Sequence, residues 1–141
     1  MVLESLEEIA NYIVADGKGI LAADESNPTC GKRFDSIGVE STEVSRRDYR
    51  EMLFRAEGIN SNIGGVILFD ETIRQGAEDG TQLVDVITSQ GALPGIKVDK
   101  GLKPLENSPE ESVTQGLDGL SERCSEYKKM GARFAKWRAV I

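Results

Sequence analysis

Gly64-Gly65-Val66-Ile67-Leu68-Phe69-Asp70-Glu71 is an unbroken apolar run, opened by paired glycines and stopped by paired acids. A strand with one wet face alternates polar and apolar residues. A continuous apolar run fits a strand buried on both faces, as in a parallel sheet covered by helices. Further back, Gly19-Ile20-Leu21-Ala22-Ala23 repeats the pattern and also stops in acid, at Asp24-Glu25-Ser26. Further on, residues 95–100 (GIKVDK) follow Pro94 as a third, short strand, and residues 133–141 (RFAKWRAVI) read as a fourth.

Helical patterns fill the gaps. Leu6, Ile9, Ala10 and Ile13 place an amphipathic helix over residues 2–15, ended by Gly17 and Gly19. Asn27-Pro28 is a turn signal, with a short helix from Thr29 to Phe34. Ser41 and Thr42 are N-cap candidates for a helix over residues 43–54, with Tyr49, Met52 and Leu53 on one face. Leu83, Val84, Val86 and Ile87 predict another. Ser108-Pro109 predicts a helical start by the cap-then-proline rule. Leu117, Leu120, Cys124 and Tyr127 then recur at helical spacing until Gly131.

Strand starts fall roughly 30–45 residues apart, the length of a βα unit with room for insertions. Alternating elements imply a parallel sheet, either a (β/α)8 barrel or an open doubly wound sheet. No GxGxxG follows the first strand and no GxxxxGK[ST] occurs, which weighs against a nucleotide-binding fold. The last element is a strand, and a parallel strand needs neighbours and cover. The expectation is one domain over residues 1–141, the front half of a barrel from a longer polypeptide, cut in strand four.

Composition narrows the function. The chain has 17 Lys and Arg against 24 Asp and Glu, a formal charge of −7. That argues against a general nucleic-acid binder and against a polybasic membrane protein. There is no His, so a Ser–His–Asp triad, a Cys–His pair and an imidazole zinc site are all excluded within these residues. Cys30 and Cys124 stand far apart in sequence and read as reduced structural thiols. Glu4, Glu7 and Glu8 near the start do not suit a presequence, and the longest apolar runs are too short to span a bilayer. The expected location is the cytoplasm.

In barrels, chemistry sits where strands end. The strand ends here offer Asp24 and Ser26, then Asp70 and Glu71, then Lys97, Asp99 and Lys100, then Lys136 and Arg138. Side chains alternate along a strand, so Lys97 pairs in direction with Asp99, and Lys136 with Arg138. Ala135, Trp137, Ala139 and Ile141 would then pack under helices. Buried cations are costly unless paired or used. Lys97, Lys136 and Arg138 near Asp24 describe an anion site with a proton-handling carboxylate, suited to phosphorylated sugars. Asp70 and Glu71 read as capping or solvated residues. The residue pattern alone supports a parallel α/β, anion-binding protein.

Five segments carry a resemblance: GKGILAADES at 17–26, GGVILFDET at 64–72, GIKVDKG at 95–101, TQGLDGLSERC at 114–124 and FAKWRAV at 134–140. In this order they resemble class I fructose-bisphosphate aldolase. The resemblance implies a (β/α)8 barrel, of which this chain is the first half, about four βα units. It implies cleavage of fructose 1,6-bisphosphate to dihydroxyacetone phosphate and glyceraldehyde 3-phosphate, in glycolysis and gluconeogenesis. It implies no metal, no cofactor and commonly a homotetramer, with no nucleic-acid or membrane partner.

By the same resemblance, Asp24 holds the C4 hydroxyl and assists its deprotonation. Lys136 places the substrate and aids carbinolamine conversion. Lys97 holds the substrate and its C6 phosphate with Ser26 and Thr29, and Arg33 and Arg138 lie near the phosphate ends. Pro28 departs from the family's loop and removes an N–H donor. The lysine that forms the Schiff base lies on a later strand in the family and has no match here, so the chain alone is expected to be inactive. A non-catalytic chain that binds or assembles with full-length subunits is the alternative. Another phosphosugar barrel, such as a transaldolase or isomerase, fits the segments poorly.

Overall fold

A computed structural model describes Leu3 and residues 5–141 of the chain. The first helix, α1 (Leu6–Ile13), begins at a capping box in which Ser5 and Glu8 satisfy each other's backbone N–H groups. It is shorter than the 2–15 expected, and Val2 and Glu4 lie outside the described residues. Then come β1 (Gly19–Ala23), α2 (Asn27–Asp35), α3 (Glu43–Phe54), α4 (Ile59–Asn62), β2 (Ile63–Leu68), α5 (Asp70–Ile73), α6 (Leu83–Ser89) and β3 (Leu93–Lys97). A hairpin of β4 (Leu102–Leu105) and β5 (Ser108–Thr114) precedes α7 (Leu120–Lys129) and β6 (Phe134–Lys136). Gly19 lies inside β1 rather than ending α1; the helix stops ahead of Gly17, whose φ is +76°.

The main sheet is parallel with order β1-β2-β3-β6. Register sets Leu21 beside Val66, Val66 beside Pro94 and Ile96 beside Ala135. Alternation then sorts the side chains. Ala23, Val66, Leu68, Ile96 and Val98 face the helices and are buried with Phe54, Leu83 and Ile87. Each of the larger side chains among them contributes about 2 kcal/mol by leaving water. The other face carries Ala22, Lys97 and Lys136, whose strands end at one open cleft. Glycine makes that face fit: the Phe134 ring lies over β2 and β3, where a Cβ on Gly65 or Gly95 would collide with it.

Several expectations need correcting. Ser108-Pro109 opens β5, not a helix. The cap-then-proline signal also suits an exposed edge strand, and residues 102–105 supply its partner, pairing Leu102 with Thr114 and Lys103 with Val113. Asn107, with φ of +65°, makes the turn between them. The fourth strand is only Phe134–Lys136, so Arg138 follows it rather than belonging to it. Ala135 and Trp137 are exposed instead of packing under helices, and Leu117 precedes α7 and is also exposed. Finally, α3 buries Arg50 and Phe54 while Met52 points into solvent.

Cys30 is buried and Cys124 partly so, and both are free thiols. No helix among the described residues is long and apolar enough to cross a membrane.

Glu71 is ion-paired rather than capping or solvated, while Asp70 pairs with Arg74 at 2.8 Å and stays half exposed to solvent. Arg46 on α3 grips Glu71 on α5 through Nε and Nη2, at 2.7 and 2.8 Å. That hydrogen-bonded guanidinium holds the Glu71 carboxyl below the ordinary glutamate value of 4.5, against the opposing effect of burial. In the acid range the unfolded chain therefore takes up this proton before the folded chain does. The stabilisation is complete above pH 4.5 and disappears as pH falls through the depressed folded value. Glu71→Gln is expected to lower stability by about 1 kcal/mol at pH 7 and to flatten the acid limb of a pH–stability curve. An unchanged acid limb would refute the assignment.

Candidate active site

The cleft at the carboxyl ends of β1, β2, β3 and β6 has a volume of about 760 Å³. Asp24, Ser26, Thr29, Arg33, Lys97, Lys136 and Arg138 all line it. Asp24 is the first residue after β1 and is buried. Its Oδ2 accepts a hydrogen bond from Lys136 Nζ at 2.7 Å, across 112 residues of sequence. The pair joins one edge strand of the sheet to the other, since β1 and β6 are its outer members.

Lys97 ends β3 and lies 2.9 Å from Asp99 Oδ1, and it also donates to the Asp99 carbonyl at 3.1 Å. Burial pushes the Asp99 carboxyl up, but Lys97 and the Arg138 N–H outweigh it, so the net shift is downward. The Arg138 backbone N–H donates to Asp99 Oδ2 at 3.2 Å. Arg138 thus reaches the cleft through a short loop anchored on Asp99, not through strand alternation.

Ser26 is the N-cap residue of α2, yet its hydroxyl makes no cap bond. It meets the Thr29 hydroxyl at 3.1 Å instead, which leaves both hydroxyls on the cleft wall. Pro28 falls in the first turn of α2, where a backbone N–H has no intrahelical partner, so its missing donor costs the helix nothing. Arg33, one turn beyond Thr29 on α2, is half exposed and ion-paired with Glu25.

Glu25, Arg123 and Tyr127 also line the cleft and escaped the sequence reading, and Asp70, read there as capping or solvated, lines it too. Arg123 on α7 donates to the Val98 carbonyl at 3.0 Å and the Gly116 carbonyl at 2.5 Å, so it ties the end of β3 to the base of the hairpin. Tyr127 donates to Asp70 at 2.8 Å. Burial, then that carboxylate, pushes the tyrosine hydroxyl above its usual value. Arg123 lies on a helical pattern, where a charge reads as solvated, and Tyr127 on the apolar side of that pattern, so only the fold brings the two to the cleft.

The arrangement is cationic but self-paired. Lys97 and Lys136 each hold a carboxylate that an incoming phosphate would replace or share, and a phosphate takes charge-assisted hydrogen bonds from Lys and Arg well. Among the described residues, no three His, Cys, Asp or Glu side chains converge to hold a metal ion.

Comparison with known proteins bears on this geometry. The family model described as "Glycolytic: Fructose-bisphosphate aldolase class-I" matches residues 5–141. The chain is 57% identical to fructose-bisphosphate aldolase 1, chloroplastic, of Chlamydomonas reinhardtii, over 98% of this chain and 37% of that protein. It is 55% identical to a probable fructose-bisphosphate aldolase class 1 of Xanthomonas axonopodis pv. citri, over 100% of this chain and 42% of that protein. Among solved structures, fructose-bisphosphate aldolase from Plasmodium falciparum, crystallised with TRAP and a small-molecule inhibitor, matches with a TM-score of 0.91 and 53% identity. That match covers 93% of this chain and 38% of the other. The chain therefore spans about two-fifths of the length of the relatives it matches, and its parallel sheet corresponds to part of a (β/α)8 barrel.

Proposed function

Because the chain belongs to the class-I fructose-bisphosphate aldolase family, we propose that its cleft binds fructose 1,6-bisphosphate and the triose phosphates derived from it. The observation that carries this is the Lys136–Asp24 pair at 2.7 Å, set in one cleft with Lys97 and Arg33. The substrate is a dianionic phosphate at each end of a polyhydroxylated chain. Lys97, Ser26 and Thr29 are suited to its C6 phosphate, and Arg33 and Arg138 to the phosphate ends.

Asp24 lies among these cations as the carboxylate paired with Lys136 and is the group suited to accept a hydroxyl proton there. As the C3–C4 bond breaks, the C4 hydroxyl proton passes to its carboxylate while the C4–O bond becomes a carbonyl. Lys136, hydrogen-bonded to Asp24, donates to substrate oxygens and moves protons during carbinolamine conversion. The electron pair of the broken bond must be received by an imine at C2. In the family that imine forms on a lysine that none of these residues matches. We therefore propose that these 141 residues bind the sugar bisphosphate without cleaving it. A cytoplasmic role in glycolysis and gluconeogenesis, and a homo-oligomeric state, belong to the same proposal for the whole protein.

The test is a coupled triose-phosphate assay of the isolated chain, with borohydride added to trap any imine. Binding without turnover or a reduced adduct is expected. Turnover with an adduct on Lys97 or Lys136 would overturn it.

A second reading, assembly with an intact class I aldolase subunit, is favoured by a separate observation. A groove of about 500 Å³, lined mainly by apolar residues of α1, α7, β3 and β6 such as Leu6, Ile9, Ile96, Ala132, Phe134 and Ala135, also carries Lys128 and Arg133. Open strand edges and apolar grooves seek pairing. Co-purification with an intact aldolase would favour this reading, and a compact monomer that binds none would count against it.

A further inference from the structure

Arg50 is fully buried, yet it belongs to α3, a helix outside the sheet. Its Nε donates to the Ala23 carbonyl at 3.3 Å and its Nη2 to the Glu25 carbonyl at 2.7 Å. Nη2 also lies 3.4 Å from Glu25 Oε2. Nη1 is buried with no hydrogen-bond partner. A guanidinium removed from water is destabilising unless its donors are met, and here one is not. A residue kept under those terms points to a use other than stability alone.

The two carbonyls explain the use. The Ala23 carbonyl belongs to the peptide plane just before Asp24, and the Glu25 carbonyl to the plane after Glu25. Holding both planes fixes the backbone of residues 24 and 25, and with it the direction in which the Asp24 side chain leaves the chain. On the cleft side Asp24 is held by Lys136 alone among the described residues, and Lys136 ends a strand of three residues at the sheet edge. Arg50 also shares the Glu25 carboxylate with Arg33.

We propose that Arg50 is a positioning residue that aims Asp24 at the sugar hydroxyl from behind the sheet. This rests on the reading that Asp24 meets that hydroxyl. Calorimetric titration of the chain and of Arg50→Met and Arg50→Lys tests it, with two probes. Fructose 1,6-bisphosphate has the hydroxyl, and hexane-1,6-diyl bisphosphate carries the two phosphates without it. The unaltered chain is expected to prefer the sugar about tenfold, as one charge-assisted hydrogen bond allows. Arg50→Met should bind both probes as the unaltered chain binds the alkyl bisphosphate. Arg50→Lys, which retains the charge but reaches one carbonyl, should lose about threefold of the preference.

Circular dichroism reports whether each variant folds, and the lysine variant decides the matter if the methionine variant does not. The proposal is overturned if both folded variants keep the full preference, or if they lose both probes equally, as a purely structural residue would. Equal affinity of the unaltered chain for the two probes would overturn it while leaving the phosphate site standing. If the unaltered chain bound neither, the reading of the cleft itself would fall.

Discussion

Lys97→Met is expected to weaken fructose 1,6-bisphosphate binding by about 10- to 100-fold, the loss of one or two charge-assisted contacts to a phosphate. Lys97 is half-buried at the end of β3 and is held in place by Asp99, whose side chain is only 4% exposed. The single variant therefore does two things: it removes a phosphate donor, and it strands a buried carboxylate. A second variant separates them. Lys97→Met with Asp99→Asn removes the stranded charge, so its unfolding temperature should recover toward that of the unaltered chain while its affinity stays low. Isothermal calorimetry and thermal unfolding of both variants read the two effects apart. If the double variant regains affinity, Lys97 acts through Asp99 and not on the ligand. Binding by the unaltered chain should also weaken as salt is raised, because the cleft faces solvent.

Gly64→Ala is expected to have the largest effect on stability, about 3 kcal/mol. A Cβ at Gly64 would lie 2.5 Å from the Ile13 carbonyl oxygen and 2.8 Å from its carbon. Those are backbone atoms at the end of α1, so the end of α1 would have to leave the sheet. Gly95→Ala meets the Phe134 ring at 2.4 Å, but a ring on an edge strand can swing aside. Gly17, with φ of +76° and nothing within 4 Å of the added Cβ, should cost only about 1 kcal/mol as alanine. Chemical denaturation should rank the three in that order. A Gly64→Ala chain as stable as the unaltered one would mean that α1 does not close on β2 as described.

Much of the fold is legible because burial leaves a direct mark. Gly19–Ala23 and residues 64–69 are apolar on both faces, and such runs have few alternatives to a covered parallel strand. The hairpin was not legible because Ser108-Pro109 serves a helix start and an edge strand equally well. The deciding facts are remote from it: a partner strand at Leu102–Leu105 and a left-handed Asn107. Strand alternation placed Lys97 and Lys136 on the cleft face, since both belong to β3 and β6. The same rule put Arg138 there for the wrong reason, because the strand ends two residues earlier.

The supporting arginines were invisible for another reason. Arg50 and Arg123 sit on helices whose charges normally face water, and no local pattern marks the ones that turn inward. What identifies them is the backbone carbonyls they meet, at Ala23, Glu25, Val98 and Gly116. Those groups lie 7 to 27 residues away in sequence.

A structure of the chain with fructose 1,6-bisphosphate bound tests the central claim most directly. One phosphate should lie within hydrogen-bond reach of Lys97 and the Ser26 and Thr29 hydroxyls, with the C4 hydroxyl on Asp24 between Lys136 and the sheet. A bisphosphate seated elsewhere, or in the cleft with its C4 hydroxyl turned from Asp24 into solvent, would contradict the account.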